Sequence, residues 1–118
     1  LIPGQTYSRN IRVTRIVDTF LEHARIWYFG NGGNPKLFLG SPDWMRRNLY
    51  RRIEAVTPIL DPDAKQELID MLSIQLSDKR KACFVDENLR NCWKSAHPQK
   101  EKVRSQYTFY EYLKEKTE

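Results

Sequence analysis

The chain reads as an α/β (α+β) domain with a mixed β-sheet covered by helices, and three observations predict it. Helix-period and strand-type segments alternate along its length, which favours layered helices and strands. Asp61-Pro62-Asp63 opens a long apolar-periodic stretch in the manner of a capped helix. Two short aromatic and aliphatic runs flank the turn Gly30-Asn31-Gly32-Gly33-Asn34, as in a β-hairpin.

Taken in order, Asn10 to Ala24 has Val13, Ile16, Val17, Phe20, Leu21 and Ala24 at helical spacing. Arg12, Arg15, Thr19 and Glu22 lie opposite, so an amphipathic helix capped by Ser8 or Asn10 is expected. Arg25 to Phe29 is rich in β-branched and aromatic residues and predicts a strand, with Lys36 to Leu39 as its hairpin partner. Pro42 to Asn48 reads as a turn or short helical segment, and Ile53 to Ile59 as a third strand ended by Pro58 and Asp61-Pro62. The second helix places Ala64, Leu68, Met71, Leu72, Gln75 and Leu76 on one face, with Asp63 at the positive end of the helix dipole. A strand over Lys81 to Val85 follows, then an irregular polar stretch from Glu87 to Gln99. A last helix from about Glu101 to Glu115 carries Val103, Tyr107, Tyr110 and Leu113 on one side.

At 118 residues the chain is long enough for one domain with its own core, and residues 1–118 are treated as one. It opens on Leu1 rather than Met, and a piece of a longer polypeptide is expected. No apolar run approaches the ~20 residues of a membrane span, and Cys83 and Cys92 give no disulfide framework, so a reducing cytoplasm is the expected setting. The formal net charge of +5 favours anionic partners. Arg46, Arg47, Arg51 and Arg52 concentrate that charge and could steer a polyanion, although a solvated or structural role explains some of them equally.

The chemistry-bearing stretch runs from His23 to Asn48. On a strand, residues two apart share a face, so His23 and Arg25 would project together, one able to exchange a proton and one a permanent cation. The hairpin would bring Lys36 and Ser41 beside them, outlining a phosphate pocket. Each part alone has a plainer reading. A single histidine at such a junction serves as a structural hydrogen-bonding group, and Gly and Asn suit any hairpin turn. Arg25 could hold an oxyanion or pair with Glu22 or Glu54, and Ser41 could donate to phosphate or stabilise its turn. Trp27, Phe29 and Trp44 read as core. Cys83, Cys92 and His97 match no zinc spacing and lack a fourth ligand, so no metal site is expected in the chain.

The ordered combination lifts His23. H-x-R, an apolar strand, a hairpin and Gly-Ser resemble the half-site of the phospholipase D superfamily, H-x-K-x4-D followed by G-S-x-N. His23 stands at the histidine, Arg25 at the lysine, Gly30 at the aspartate, Gly40 and Ser41 at the Gly-Ser pair, and Asp43 at the asparagine. These departures weigh against a hydrolytic phosphodiesterase. The strings F-L-E-H-A-R-I-W-Y-F-G-N-G-G and K-L-F-L-G-S-P-D-W-M-R-R-N-L-Y-R-R-I-E-A-V-T-P-I resemble the final catalytic domain of the bacterial polyphosphate kinase family. The ending R-S-Q-Y-T-F-Y-E-Y-L-K is similar to that domain's last helix.

The resemblance implies a phospholipase D-like domain of an enzyme that reversibly moves the terminal phosphate of ATP onto polyphosphate through a phosphohistidine. The phosphorylated histidine and the Mg²⁺ site would belong to the preceding catalytic domain of the same polypeptide, and a phosphate-binding arginine of the family would lie upstream of Leu1. His23 then corresponds to the second active-site histidine, with Arg25 and Ser41 as further contacts to ATP or ADP. An isolated fragment is expected to be inactive. The resemblance also implies a homo-oligomer, a location in the cytoplasm or at the periphery of the inner membrane, and no nucleic-acid partner. Two other readings stand beside it: a phosphodiesterase or nuclease half-site, and a non-catalytic basic module for polyanions.

Overall fold

In a computed structural model, residues 2–117 are described, and they form two compact units. The first comprises residues 1–21 and 70–118, and the second residues 22–69. Each holds one three-stranded antiparallel sheet, so the α+β class stands while the single mixed sheet resolves into two antiparallel ones.

The first unit contains β1 (Thr14–Ile16). The second contains β2 (Ile26–Phe29), β3 (Lys36–Gly40), α1 (Arg46–Arg51) and β4 (Val56–Pro58). Then follow α2 (Pro62–Ser77), which crosses the boundary between units along the chain, and β5 (Ala82–Val85), β6 (Asn91–Trp93) and α3 (Ser105–Thr117) of the first unit. In the first sheet β5 lies between β1 and β6, and in the second β3 lies between β2 and β4.

The helix expected over Asn10 to Ala24 is not there. Its β-branched residues instead build β1, with Thr14 opposite Phe84, Arg15 opposite Cys83 and Ile16 opposite Ala82. The ladder continues outside the strand, where Val85 N–H donates to the Val13 carbonyl at 2.9 Å and Val17 N–H to that of Lys81 at 3.0 Å. Ladder pairing with a buried central strand outweighs local periodicity. Ser8 is no helix cap either: its buried hydroxyl donates to the Ile2 carbonyl at 2.6 Å and accepts from Gln5 N–H at 3.1 Å.

Residues 18–20 leave β1 through a bend and are stitched to the start of α3. Arg104 grips Asp18 from Nε at 2.8 Å and Nη2 at 2.6 Å, while Gln106 both accepts from the Phe20 N–H and donates to its carbonyl. The Arg104 guanidinium also lies 4.2 Å from the Tyr107 ring centroid. Two-pronged charge-assisted bonds of this kind are stronger than neutral ones. They hold the Asp18 carboxyl down to a pKa of about 2, from an ordinary 3.8, chiefly through the side-chain bond to Arg104.

The polar stretch after β5 is more ordered than its composition suggests. Asp86 accepts from the N–H groups of Asn88 and Arg90 and pairs with the Arg90 Nε at 2.9 Å, while Leu89 takes a positive φ of 61°. This aspartate-centred turn closes a hairpin and creates β6, which the sequence reading missed. In α3 Ser105 is buried and Phe109, Tyr112 and Leu113 are half-buried, whereas Tyr107 and Tyr110 are exposed, so the expected apolar side holds at Leu113 but not at the two tyrosines. Tyr112 donates to Asp70 at 2.6 Å and stacks on Phe109. Asp61 caps α2 as expected, accepting from Ala64 N–H at 2.8 Å. The face assigned to that helix holds in its middle but not at Ala64 or Leu76, which are exposed.

Asp78, just past α2, is fully buried. One carboxylate oxygen accepts from Arg80 N–H at 2.8 Å and Lys81 N–H at 2.7 Å, and the other from Ser105 N–H at 2.8 Å, at the first residue of α3. Removing an acceptor that satisfies buried donors exposes their full desolvation cost. Asp78→Ala should therefore lower unfolding stability by about 2–4 kcal/mol, read as a shifted denaturant midpoint. A loss below the measurement error would show that the three N–H groups find other acceptors.

Acid should act through Asp18. Its folded pKa lies below the unfolded one, so its contribution is complete above about pH 4 and disappears as the pH falls toward about 2. Asp18→Asn should cost about 1–2 kcal/mol at neutral pH after allowance for solvent screening. The gap between the variant and wild type should close in acid, as followed by urea unfolding from pH 7 to pH 2.

Candidate functional site

His23, Arg25, Ser41 and the arginines at 46, 47, 51 and 52 lie in the second unit, built around the β2–β3 hairpin. Ile26 pairs with Leu39, Trp27 with Phe38, Tyr28 with Leu37 and Phe29 with Lys36. Leu37, 1% exposed, anchors this sheet, and Phe29 meets Phe38 edge-on at 5.9 Å between centroids. The turn works because Asn31, Gly32 and Gly33 all take positive φ, a region open to glycine and tolerated by asparagine.

The register carries the chain just before β2 alongside the chain just after β3. Gly40 N–H donates to the Arg25 carbonyl at 3.1 Å, and Ser41 N–H to the Ala55 carbonyl at 2.9 Å. His23 and Arg25 precede β2, so they do not project from a strand as expected. His23 is exposed, and its carbonyl accepts from Arg25 Nη1 at 3.4 Å. Glu54 is bonded by Ser41, and Arg25 Nη2 lies 3.3 Å from Asp43 Oδ2. The sequence offered one signal for that pairing, an acid three residues beyond the end of β3, but its partner becomes readable only from the hairpin register.

Ser41 donates to Glu54 at 2.5 Å and accepts from Ala55 N–H at 3.1 Å, so its hydroxyl ties the segment after β3 to the one before β4. Arg52 donates to the buried Asn48 at 3.3 Å. Arg46, Arg47 and Arg51 stand with Tyr50 around an open concavity of about 720 Å³. Arg47 and Arg51 are one helical turn apart, where like charges repel by a few tenths of a kcal/mol. Trp44, expected in the core, is 81% exposed. Lys36, also expected near the site, pairs opposite Phe29 at the far end of the hairpin.

Cys83 and Cys92 sit in the first unit as free thiols. Burial pushes the Cys83 thiol up, and the Cys92 sulfur donates to Asp86 at 3.8 Å. Among the described residues, no three histidine, cysteine or acidic side chains come together to hold a metal ion. No described helix is long and apolar enough to cross a membrane.

Comparison with known proteins gives the exposed His23, the Arg25–Asp43 pair and the arginines of α1 a context. The sequence model of the polyphosphate kinase C-terminal domain 2 family matches residues 1–106. The chain belongs to that family. It is 45% identical over 115 residues to the polyphosphate kinase of Escherichia coli K12 and 46% identical over 115 residues to that of Klebsiella pneumoniae. Each match covers 97% of this chain but 17% of the relative, so the chain spans about a sixth of their length. The crystal structure of a polyphosphate kinase from Porphyromonas gingivalis superposes with a TM-score of 0.89 and 52% identity, over 98% of this chain and 18% of that one. The fold is thus the phospholipase D-like fold of the kinase's C-terminal domain.

Gly40 is the tightest point of this scaffold. A Cβ there would stand 2.8 Å from the Ala55 carbonyl oxygen and 2.9 Å from a Val56 methyl, so β4 would have to move. Gly40→Ala should cost about 1–3 kcal/mol, the usual range for overpacking, measured by thermal or chemical unfolding. A variant as stable as wild type would mean that the β3–β4 approach is looser than it is here.

Proposed function

We propose that this chain supplies a nucleotide-phosphate-binding wall of a polyphosphate kinase, an enzyme that reversibly transfers the terminal phosphate of ATP to polyphosphate through a phosphohistidine in a companion domain. The observation that carries the reading is an exposed His23 beside a guanidinium already oriented by Asp43, in a chain of this family. Phosphoryl transfer depends on positioning and on compensating negative charge. An imidazole facing the phosphates can donate a hydrogen bond or a proton to an oxygen that gains charge as the bond breaks.

Under this reading His23 touches the nucleotide phosphates, and the Arg25 donors not used by Asp43 and the His23 carbonyl are free to do the same. Ser41 would reach phosphate only by giving up its bond to Glu54. Arg46, Arg47, Arg51 and Arg52 would steer the polymer. Mg²⁺ shields phosphate charge, and its ligands would come from the preceding catalytic domain. The exposed side chains of Trp44, Tyr50 and Ile53 offer surface for other parts of the same polypeptide. A homo-oligomer and a location in the cytoplasm or at the periphery of the inner membrane complete the proposal. The phosphodiesterase alternative is weaker, because Arg25 and Gly30 stand where that chemistry needs lysine and aspartate.

The test is His23→Ala in the full-length enzyme. Loss of a preorganised donor to developing charge costs ~10²–10³ in rate, and with His23 exposed the fold should survive, as checked by circular dichroism. His23→Gln separates binding from proton transfer: a largely active Gln variant leaves only hydrogen bonding, and one as poor as Ala implicates the proton. Wild-type polyphosphate synthesis by both variants would overturn the assignment.

A further inference from the structure

We infer that Asp43 is a positioning residue for the phosphate site, acting through Arg25 on the backbone at His23; the inference rests on the role proposed above for His23. Three facts carry it. Asp43 Oδ2 lies 3.3 Å from Arg25 Nη2, and the two side chains are 35% and 25% exposed, so water screens the pair only partly. The other terminal nitrogen of the same guanidinium donates to the His23 carbonyl. The Arg25 carbonyl is in turn held by Gly40 N–H, three residues before Asp43.

The segment carrying His23 has no strand or helix of its own: residues 21–25 lie outside regular structure. Two ties to the hairpin run through Arg25, by main chain to Gly40 and by side chain to Asp43. A lone arginine on a flexible stem samples many rotamers, and a carboxylate at one edge of its planar fork selects the one whose opposite edge meets the His23 carbonyl. Asp43 thus orders His23 without touching substrate, and it also decides which Arg25 donors remain free to face an anion.

The experiment uses full-length enzyme carrying Asp43→Ala, Asp43→Glu, Arg25→Ala and the double alanine variant, with His23→Ala as reference. Misplacement of a reacting group is expressed in turnover. Asp43→Ala should lower kcat for polyphosphate synthesis about tenfold, leave KM for ATP within about twofold, and melt at the wild-type temperature. Asp43→Glu should recover most of the loss. The double variant should be no slower than Arg25→Ala, because Asp43 has no route except through Arg25. If Asp43→Ala does not fold, Asp43→Asn takes its place with the same expectation. Wild-type kcat in the Asp43 variants, or losses that multiply in the double variant, would overturn the inference while an inactive His23→Ala left the site reading standing. A fully active His23→Ala would remove both.

Discussion

The first unit depends on what one carboxylate does. Asp78 satisfies three backbone N–H groups with two oxygens and is buried completely. Those donors belong to the turn after α2, the approach to β5 and the first turn of α3. A buried carboxylate without partners is among the costliest groups a protein can hold, so the three elements keep each other in place. Lys94 adds a second tie by donating to the Leu76 carbonyl near the end of α2 at 2.9 Å, where a cation also suits the helix dipole. The strap at residues 18–20 then closes on α3 one residue before Ser105, through Arg104. Polar contacts therefore set the relative placement of elements whose apolar cover is modest: among the described residues of this unit the buried hydrophobic ones are Ala82, Cys83 and Val85.

How much of this was legible in the sequence follows from whether a signal was local. The Asp61 cap, the Gly/Asn hairpin turn and the strands on either side of it are decided by neighbouring residues, and they stand as read. Residues 10–24 have an apolar spacing that fits a helix, while the deciding contact, β1 against β5, lies almost 70 positions away in the chain. Leu21 at 86% and Phe20 at 62% exposed show that this periodic stripe has no core to face within the unit. β6 was missed for the opposite reason. It lies within a stretch of mostly polar residues, and it exists because Asp86 folds the turn ahead of it and hands Asn91 and Cys92 to β5.

The candidate site divides in the same way. His23, Arg25 and the arginines of α1 could be singled out from residue type and order, because cations facing an anion are recognisable in one dimension. Their partners could not. Asp43 stood in the motif as a departure from an expected asparagine, and nothing in its neighbours says that it meets Arg25. Glu54, which the sequence allows as a partner of Arg25, is bonded by Ser41 instead. Both assignments follow from the pairing of Ile26 with Leu39 and of Gly40 with Val56, which brings residues 25, 41–43 and 54–55 to one end of the sheet.

That distribution of carboxylates explains why the surface keeps its cationic character. Between Ser41 and Ala55 the chain has two acids and four arginines. Asp43 is engaged by Arg25 and Glu54 by Ser41 rather than by the arginines of α1. Had either acid turned toward Arg47 or Arg51, an i,i+4-type surface pair would have gained at most about half a kcal/mol and removed a positive charge from solvent. Satisfying hydrogen bonds at the end of the sheet gains as much or more, and it leaves the guanidinium groups of Arg46, Arg47 and Arg51 around their concavity. The uncompensated charge is thus a consequence of how the hairpin satisfies its own polar groups: the scaffold that orients Arg25 also keeps its acids away from the arginines of α1.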